Sequence, residues 1–153
     1  MNTYLTKLTL LFILSFTLWT CTDDTALPAL ESIKEIEPQD NDNKGDASDI
    51  EVFFRKQLET NNIQEYRIFA IKSDKAAAFT LEDANAMPTE RYTQVGINET
   101  YPIKGKVLAV DAKDTDGDVI TEKILYRFAV LTVAKDKKAF KNTLVVDEDD
   151  FEL

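Results

Sequence analysis

The pattern of apolar and polar residues changes its period after the first twenty positions of the chain. Residues 8–19, LTLLFILSFTLW, are almost entirely apolar and follow a short polar start that contains Lys7. Further on, Ile50, Val52 and Phe54 alternate with other residues, and a period of two is typical of a half-buried β-strand. The pattern therefore predicts an apolar leader followed by a β-rich body.

Strand-like segments recur through this body, with turn-rich stretches between them. The predicted strands are residues 32–37, 50–54, 64–72, 91–96, 103–110 and 124–134, with a broken terminal strand at 143–146 and 151–153. Residues 38–48 are rich in Pro, Asn, Asp and Gly, which favour turns over regular ladders. Short strands separated by turns predict an all-β fold, either a sandwich or a barrel.

One segment of the body, about residues 74–90, departs from the strand pattern. Thr80 is a suitable helix N-cap, and Asp83 three residues later makes the pair close to a capping box. Pro88 then ends the helix. We expect about two turns of helix here, inserted into an otherwise all-β domain.

The leader has the layout of a secretory signal, a cation followed by a short apolar run. Leu18-Trp19-Thr20-Cys21 resembles a bacterial lipobox, with Thr20 in place of the usual Gly, Ala or Ser. The resemblance implies a signal peptide at residues 1–20, lipid on Cys21 and an acidic tether at residues 21–30. The alternatives are an uncleaved anchor and an ordinary signal beside an incidental cysteine.

The same resemblance implies a location. A lipidated Cys21 anchors the chain to a membrane, and we expect that membrane to be the outer membrane. Asp23 and Asp24 follow the cysteine closely, and in certain Gram-negative bacteria such acids resemble a signal for export to the cell surface. The expected location is therefore the cell surface, with the periplasmic face as the alternative.

The inventory of reactive side chains argues against catalysis. The chain contains no histidine, and Cys21 is its single cysteine. Only Ser32, Ser48 and Ser73 remain as serines after residue 20. Neither a Ser-His-Asp nor a Cys-His arrangement can be built from these residues. We therefore expect a protein that is not an enzyme and needs no cofactor.

Charge narrows the classes of partner. The chain from residue 21 onward carries 17 Lys and Arg against 28 Asp and Glu, a formal charge of −11. Nucleic-acid binding depends on clustered Lys and Arg that displace counterions, and we identify no such cluster. The expected partners are the membrane, through the lipid, and another protein or a glycan, but not nucleic acid.

Two parts of the body resemble a known family. IEVFF at residues 50–54 and IQEYRI at residues 63–68 resemble the second and third strands of a fibronectin type III domain, with Phe54 where the family usually has Trp. Tyr126 lies six residues after Ile120 and is followed by Phe and Val at alternate positions. This segment is similar to the family's tyrosine corner and sixth strand.

This resemblance implies an immunoglobulin-like, fibronectin type III-like sandwich of two sheets over residues 31–153. The helical insertion at about 74–90 is longer than the family's usual connection after the third strand. Similar modules recur in surface lipoproteins and serve as binding platforms or spacers. The resemblance also implies that residues 113–120 form an arch between opposite sheets rather than a plain hairpin.

The stretch from Asp111 to Asp118 is the most distinct candidate for a metal-binding site. Asp114, Asp116 and Asp118 lie close together around Gly117, and closely spaced carboxylates suit a hard cation such as Ca²⁺. The spacing does not match an EF-hand loop. Two interpretations stay open, a tight Asp-Gly turn and a weak Ca²⁺ site.

A second candidate site is an apolar patch on one face of the predicted sheet. Side chains alternate between the faces of a strand, so Phe69, Ile71, Leu131 and Val133 point away from the sandwich core. We expect the helical insertion to cover them. The alternative is a partner or a second copy of the chain, which would make the patch an interaction site.

These observations predict a surface-anchored lipoprotein that acts as a non-catalytic interaction or spacer module. The alternative function is glycan- or Ca²⁺-dependent ligand binding linked to nutrient capture. Tyr92 and Tyr101 are aromatic residues that could stack on a sugar; an ordinary packing role is the other interpretation.

Overall fold

The body of the protein is built from two antiparallel β-sheets. The computed structural model describes residues 26–42, 44–56, 59–98 and 105–153. In chain order the elements are β1 (Lys34–Asp40), β2 (Ile50–Arg55), β3 (Ile63–Lys72), α1 (Ser73–Ala76), α2 (Leu81–Ala86), β4 (Thr93–Gly96), β5 (Lys106–Val107), β6 (Leu125–Ala134), β7 (Thr143–Val146) and β8 (Phe151–Glu152). Mainly β structure in two sheets confirms the all-β prediction.

The predicted signal peptide, Cys21 and the acids of the tether lie outside the described residues. In the part of the chain that the structure does describe, no helix is both long and apolar enough to cross a bilayer.

The strands divide into a sheet of three and a sheet of five. The smaller sheet has the order β1-β2-β5, and the larger has the order β4-β3-β6-β7, with β8 also pairing with β6. The longest pairing joins β3 to β6, from Ile63 opposite Ala134 to Lys72 opposite Tyr126. The main core contains the inward side chains of both sheets, including Ile36, Ile50, Val52, Tyr66, Ile68, Tyr126, Phe128 and Val130.

The chain crosses from the smaller sheet to the larger one between β5 and β6. β5 pairs with β2, whereas β6 pairs with β3, β7 and β8. A single bridge joins Lys113 to Val119, and no ladder extends it among the described residues. The arch predicted at residues 113–120 is therefore present.

The first strand differs from its prediction. It was expected at residues 32–37, but β1 spans Lys34–Asp40, so residues 38–40 are strand rather than turn. Pro38 is tolerated because β1 lies at the edge of its sheet, where a missing N–H group need not cost a ladder bond. Pairing with β2, and not local turn propensity, decides where this strand ends.

The helical insertion is two short helices rather than one. Thr80 caps α2: its hydroxyl accepts a hydrogen bond from the Asp83 amide at 3.2 Å, and the Asp83 carboxylate accepts one from the Thr80 amide at 2.9 Å. This is the predicted capping box. A further 3-10 turn at Thr89–Arg91 leads into β4.

The insertion covers the outer face of the larger sheet. Phe69, Ile71, Leu131 and Val133 are at most 1% exposed. They form a second core with residues of the insertion, namely Ala76, Phe79, Leu81, Ala84 and Met87. The insertion therefore covers these four side chains, as expected, because it follows β3 directly and folds back over its apolar face.

Candidate functional site

Residues Asp114–Asp118, here called the aspartate turn, pack against the end of β3. The Thr115 amide donates to the Ala70 carbonyl at 3.0 Å, and the Asp114 amide donates to the Asp118 carbonyl at 2.8 Å. Gly117 has a φ of +94°, a conformation that glycine adopts without steric cost. The predicted Asp-Gly turn is thus present, and it is anchored to the sheet.

A buried carboxylate organises the turn from within. Asp114 is fully buried, and its Oδ1 accepts hydrogen bonds from the amides of Asp116 at 2.9 Å and Asp118 at 3.0 Å. Burial of a charged carboxylate is costly unless the charge is hydrogen-bonded and paired. The two amides supply the hydrogen bonds, so Asp114 holds the other two aspartates on the same side of the turn.

A lysine from β3 supplies the matching positive charge. Lys72 Nζ lies 2.5 Å from an Asp118 oxygen, 3.0 Å from an Asp116 oxygen and 3.3 Å from the buried Asp114 Oδ2. Among the described residues Asp114 Oδ2 accepts no hydrogen bond, and the Lys72 ammonium group supplies its countercharge. Hydrogen bonds to Asp118 and Asp116 raise the pKa of Lys72, which keeps its ammonium group charged.

Two further cations border the turn. Lys75, in α1, places Nζ 2.8 Å and 2.7 Å from the two oxygens of Asp116. Hydrogen bonds from Lys75 and then Lys72 lower the pKa of Asp116. Arg91 donates from Nη1 to the Thr115 carbonyl at 3.2 Å. The acids of the turn therefore face lysines from two elements that precede it in the chain.

The same oxygens have the spacing of a cation site. Asp114, Asp116 and Asp118 each offer a carboxylate oxygen, and these oxygens lie within 4.8 Å of one another. That arrangement could hold a metal ion, but Lys72 Nζ already contacts all three side chains. Because both cations need the same oxygens, binding of a metal ion requires the ammonium group to move. Asp111 is exposed and is not one of this group.

The side chain at the predicted tyrosine corner is buried and hydrogen-bonded. Tyr126 is fully buried, and its hydroxyl oxygen accepts a hydrogen bond from the Thr121 amide at 3.3 Å. Burial raises the pKa of the Tyr126 hydroxyl. Ile120 is buried beside it in the main core. The bond fixes the start of β6 next to the arch that carries the aspartate turn.

The aromatic residues considered for sugar stacking do not form an open platform. The Tyr92 ring centre is 5.7 Å from that of Phe69 and 4.6 Å from the Arg67 guanidinium carbon. The ring is thus used in packing at the edge of the second core. A cleft of about 330 Å³ lies beside it. Tyr101 lies outside the described residues.

Sequence reasoning identified the acids of this site but missed its lysines. Lys72 lies 42 positions before Asp114 along the chain, so no local spacing connects them. The only signal was two lysines, Lys72 and Lys75, at the junction of a predicted strand and the insertion. The lipidation candidate, Cys21, lies outside the described residues.

Comparison with family models, with curated proteins and with solved structures found no match to this chain.

Proposed function

We propose that this protein is a lipid-anchored, cell-surface module of the outer membrane with a fibronectin type III-like sandwich, and that it serves as a non-catalytic interaction or spacer domain. The leader and Cys21 support the anchor, because a single cysteine directly follows an apolar run of signal length. Asp23 and Asp24 support export to the surface.

The arrangement of the strands supports the fibronectin type III-like assignment. In that fold the second and third strands belong to opposite sheets, and the sixth lies beside the third. Here β2 and β3 are in different sheets, and β6 pairs with β3. The hydrogen bond from the Thr121 amide to the Tyr126 hydroxyl agrees with a tyrosine corner.

The observation that carries the proposed role is the separation of the anchor-side end of the domain from the aspartate turn. Leu30 donates to the Lys141 carbonyl at 3.0 Å, just beyond the end of β6. Lys72, which holds the aspartate turn, pairs with Tyr126 near the start of β6. At about 3.3 Å per residue the ten residues of β6 separate these ends by roughly 30 Å. Such a separation between the two ends suits a spacer or display module.

The anchor is tested by replacing the cysteine. Cys21→Ala should abolish labelling by a palmitate analogue and should release the protein from the membrane fraction. Thr20→Ala, which restores a usual lipobox residue, is the matched control and should keep both labelling and retention. Membrane retention of the Cys21→Ala protein at the wild-type level contradicts the proposed anchor.

The same cells show on which face of the outer membrane the domain lies. Protease added to intact cells should remove the domain if it is displayed at the surface. Loss of the domain only after permeabilisation places it on the periplasmic face and contradicts the surface proposal, while leaving the anchor in place.

A Ca²⁺- or glycan-dependent ligand-binding lipoprotein linked to nutrient capture is the second candidate. The convergence of Asp114, Asp116 and Asp118 oxygens within 4.8 Å favours its Ca²⁺ form. The packing of Tyr92 against Phe69 and Arg67 weighs against stacking of a sugar on that ring. Calorimetric titration with CaCl₂ and with glycans separates this candidate from a module that binds neither.

A further inference from the structure

Residues 135–141, KDKKAFK, connect β6 to β7 and are here called the lysine turn. Its four lysines, Lys135, Lys137, Lys138 and Lys141, are all exposed. Within the described ranges no ion pair involves any of them. Four lysines in seven residues form a local basic cluster, which the sequence analysis above did not identify.

The lysine turn is held in a defined shape. The carboxylate of its single acid, Asp136, accepts a hydrogen bond from the Lys138 amide at 2.8 Å. The Asp136 carbonyl accepts bonds from the amides of Ala139 at 3.1 Å and Phe140 at 3.0 Å. Phe140 packs against the main core. The turn therefore presents its lysines from a rigid base.

The chain arriving from the anchor joins the domain at this same turn. Lys141 donates to the Pro28 carbonyl at 2.9 Å, and Leu30 donates to the Lys141 carbonyl at 3.0 Å. Six residues separate Cys21 from Pro28. Even a fully extended chain of that length reaches only about 25 Å. If Cys21 carries lipid, as proposed above, the lysine turn stays near the membrane surface.

Charge is distributed unevenly between the ends of the domain. The lysine turn lies beyond the end of β6. The aspartate turn lies at the opposite end, as does the acidic run at residues 147–150 next to β8, which pairs with the start of β6. A domain with a formal charge of −11 from residue 21 onward is repelled by an anionic surface in most orientations. The four exposed lysines of the lysine turn give this end of the domain an attraction for such a surface.

We propose that the lysine turn docks on the anionic headgroups of the membrane that holds the Cys21 lipid. The contact fixes the orientation of the domain, with the aspartate turn facing away from the bilayer. Lysines near an anionic surface each increase binding by about fivefold. The attraction acts only within a Debye length of roughly 8 Å at physiological salt, so the short tether is essential to it.

Vesicle experiments test this docking independently of cellular lipidation. Both cores consist of residues from Leu30 onward, so residues 21–153 contain the whole folded body. This chain is coupled through its only thiol, that of Cys21, to a maleimide lipid in vesicles. One set of vesicles is pure phosphatidylcholine, and the other contains about 30% phosphatidylglycerol, at a salt concentration that leaves charge unscreened.

The readout is the rate at which a water-soluble reagent acetylates each lysine, measured by mass spectrometry. Lys137 and Lys138 should react at least threefold more slowly on anionic than on neutral vesicles. Lys123, whose side chain is 84% exposed just before β6 begins, should react equally on both. About 0.5 M NaCl should abolish the difference, because it shortens the screening length. Equal rates on both kinds of vesicle overturn the proposal.

A pair of variants with equal charge change provides the second arm. Lys135, Lys137 and Lys138 are replaced by Gln in one, and Lys75, Lys113 and Lys123 in the other. The first variant should lose the slow acetylation of Lys141 on anionic vesicles, whereas the second should keep it. If both variants lose the slow acetylation of Lys141, the net charge of the domain, rather than the lysine turn, causes the docking, and the proposal is overturned. Failure of either arm leaves the cellular lipidation of Cys21 untouched, because the coupling here is chemical.

Discussion

Buried aspartates in this domain hold turns in shape. Asp114 and Asp49 are both fully buried; Asp114 accepts hydrogen bonds from two backbone amides of its own turn, and Asp49 accepts one from the Gly45 amide. Each also faces a lysine ammonium group, Lys72 at 3.3 Å and Lys44 at 3.6 Å. Burying a carboxylate is tolerable only with such partners. Some of the acidic residues of this chain therefore stabilise its turns.

Lys72 should be more important for stability than its partial exposure indicates. Lys72→Gln removes the ammonium group nearest to the buried Asp114 Oδ2. Leaving a buried carboxylate without its countercharge costs at least about 1–3 kcal/mol, so the free energy of unfolding in urea should fall by that amount. Lys75→Gln is the matched control. The Lys75 side chain is 54% exposed, and within the described ranges its ammonium group pairs with Asp116 alone, so its loss should cost less than about 1 kcal/mol.

Calcium separates the two interpretations of the aspartate turn. If Lys72 is the resident cation, added CaCl₂ should leave the melting temperature of the wild-type protein unchanged. A rise in that temperature with CaCl₂, together with equal and small losses in the Lys72→Gln and Lys75→Gln proteins, favours a metal site instead.

At the scale of elements, the insertion between β3 and β4 explains why two strands are buried on both faces. β3 and β6 pack against the main core on one side and against the insertion on the other. The Phe69 and Phe79 rings, 5.4 Å apart, join the sheet to the insertion. The insertion thus covers the sheet face for which a partner protein was the alternative cover.

A charged residue beneath the insertion should destabilise the isolated domain. Leu131 is fully buried in the second core, and burying a leucine is worth roughly 1.5–3 kcal/mol. Leu131→Asp should therefore lower the free energy of unfolding by at least that amount. Leu125→Asp is the control on the same strand, because Leu125 is 46% exposed.

Chemical denaturation and sedimentation together measure this effect. The Leu125→Asp protein should unfold within about 0.5 kcal/mol of the wild type. A Leu131→Asp protein that keeps wild-type stability but loses an oligomer would show that the face belongs to an interface.

At the scale of the whole molecule, ion pairs determine the pH range of stability. Lys75 and Lys72 lower the pKa of Asp116, and Arg127 lowers the pKa of Asp150. A carboxyl with a lowered folded-state pKa stabilises the fold above its unfolded pKa, and that stability is lost as the pH falls through the folded-state value. For Lys72 the folded-state pKa is raised from 10.5, so its contribution is complete below that pH and is lost as the pH rises further.

The melting temperature should therefore form a plateau in pH. The chain has no histidine, and histidine is the side chain that ordinarily titrates between about pH 5 and 8. We expect little change from about pH 5.5 to 9 and a fall below about pH 4, where carboxylates protonate. Calorimetric scans across this range provide the test. A stability step centred near neutral pH would contradict the assignment of these ion pairs.

Local pattern determined most of the elements from the sequence alone. The alternation at Ile50, Val52 and Phe54 predicts β2, and Thr80 with Asp83 predicts the cap of α2, because both signals involve neighbours in one element. Asp116-Gly117 predicts the turn for the same reason. The inward face of the sandwich also follows, since strand side chains alternate.

Tertiary structure alone decided what these elements contact. Lys72 reaches Asp118 across 46 positions, and Pro28 meets Lys141 across more than a hundred. The extension of β1 past Pro38 depends on its partner β2. Whether Phe69 is buried or exposed depends on where the insertion folds. Hydrophobic period and turn propensity act between near neighbours, whereas these contacts arise when the two sheets pack and bring distant charges together. The pairing of the aspartate turn with Lys72 therefore forms only when the whole domain folds, and no single segment predicts it.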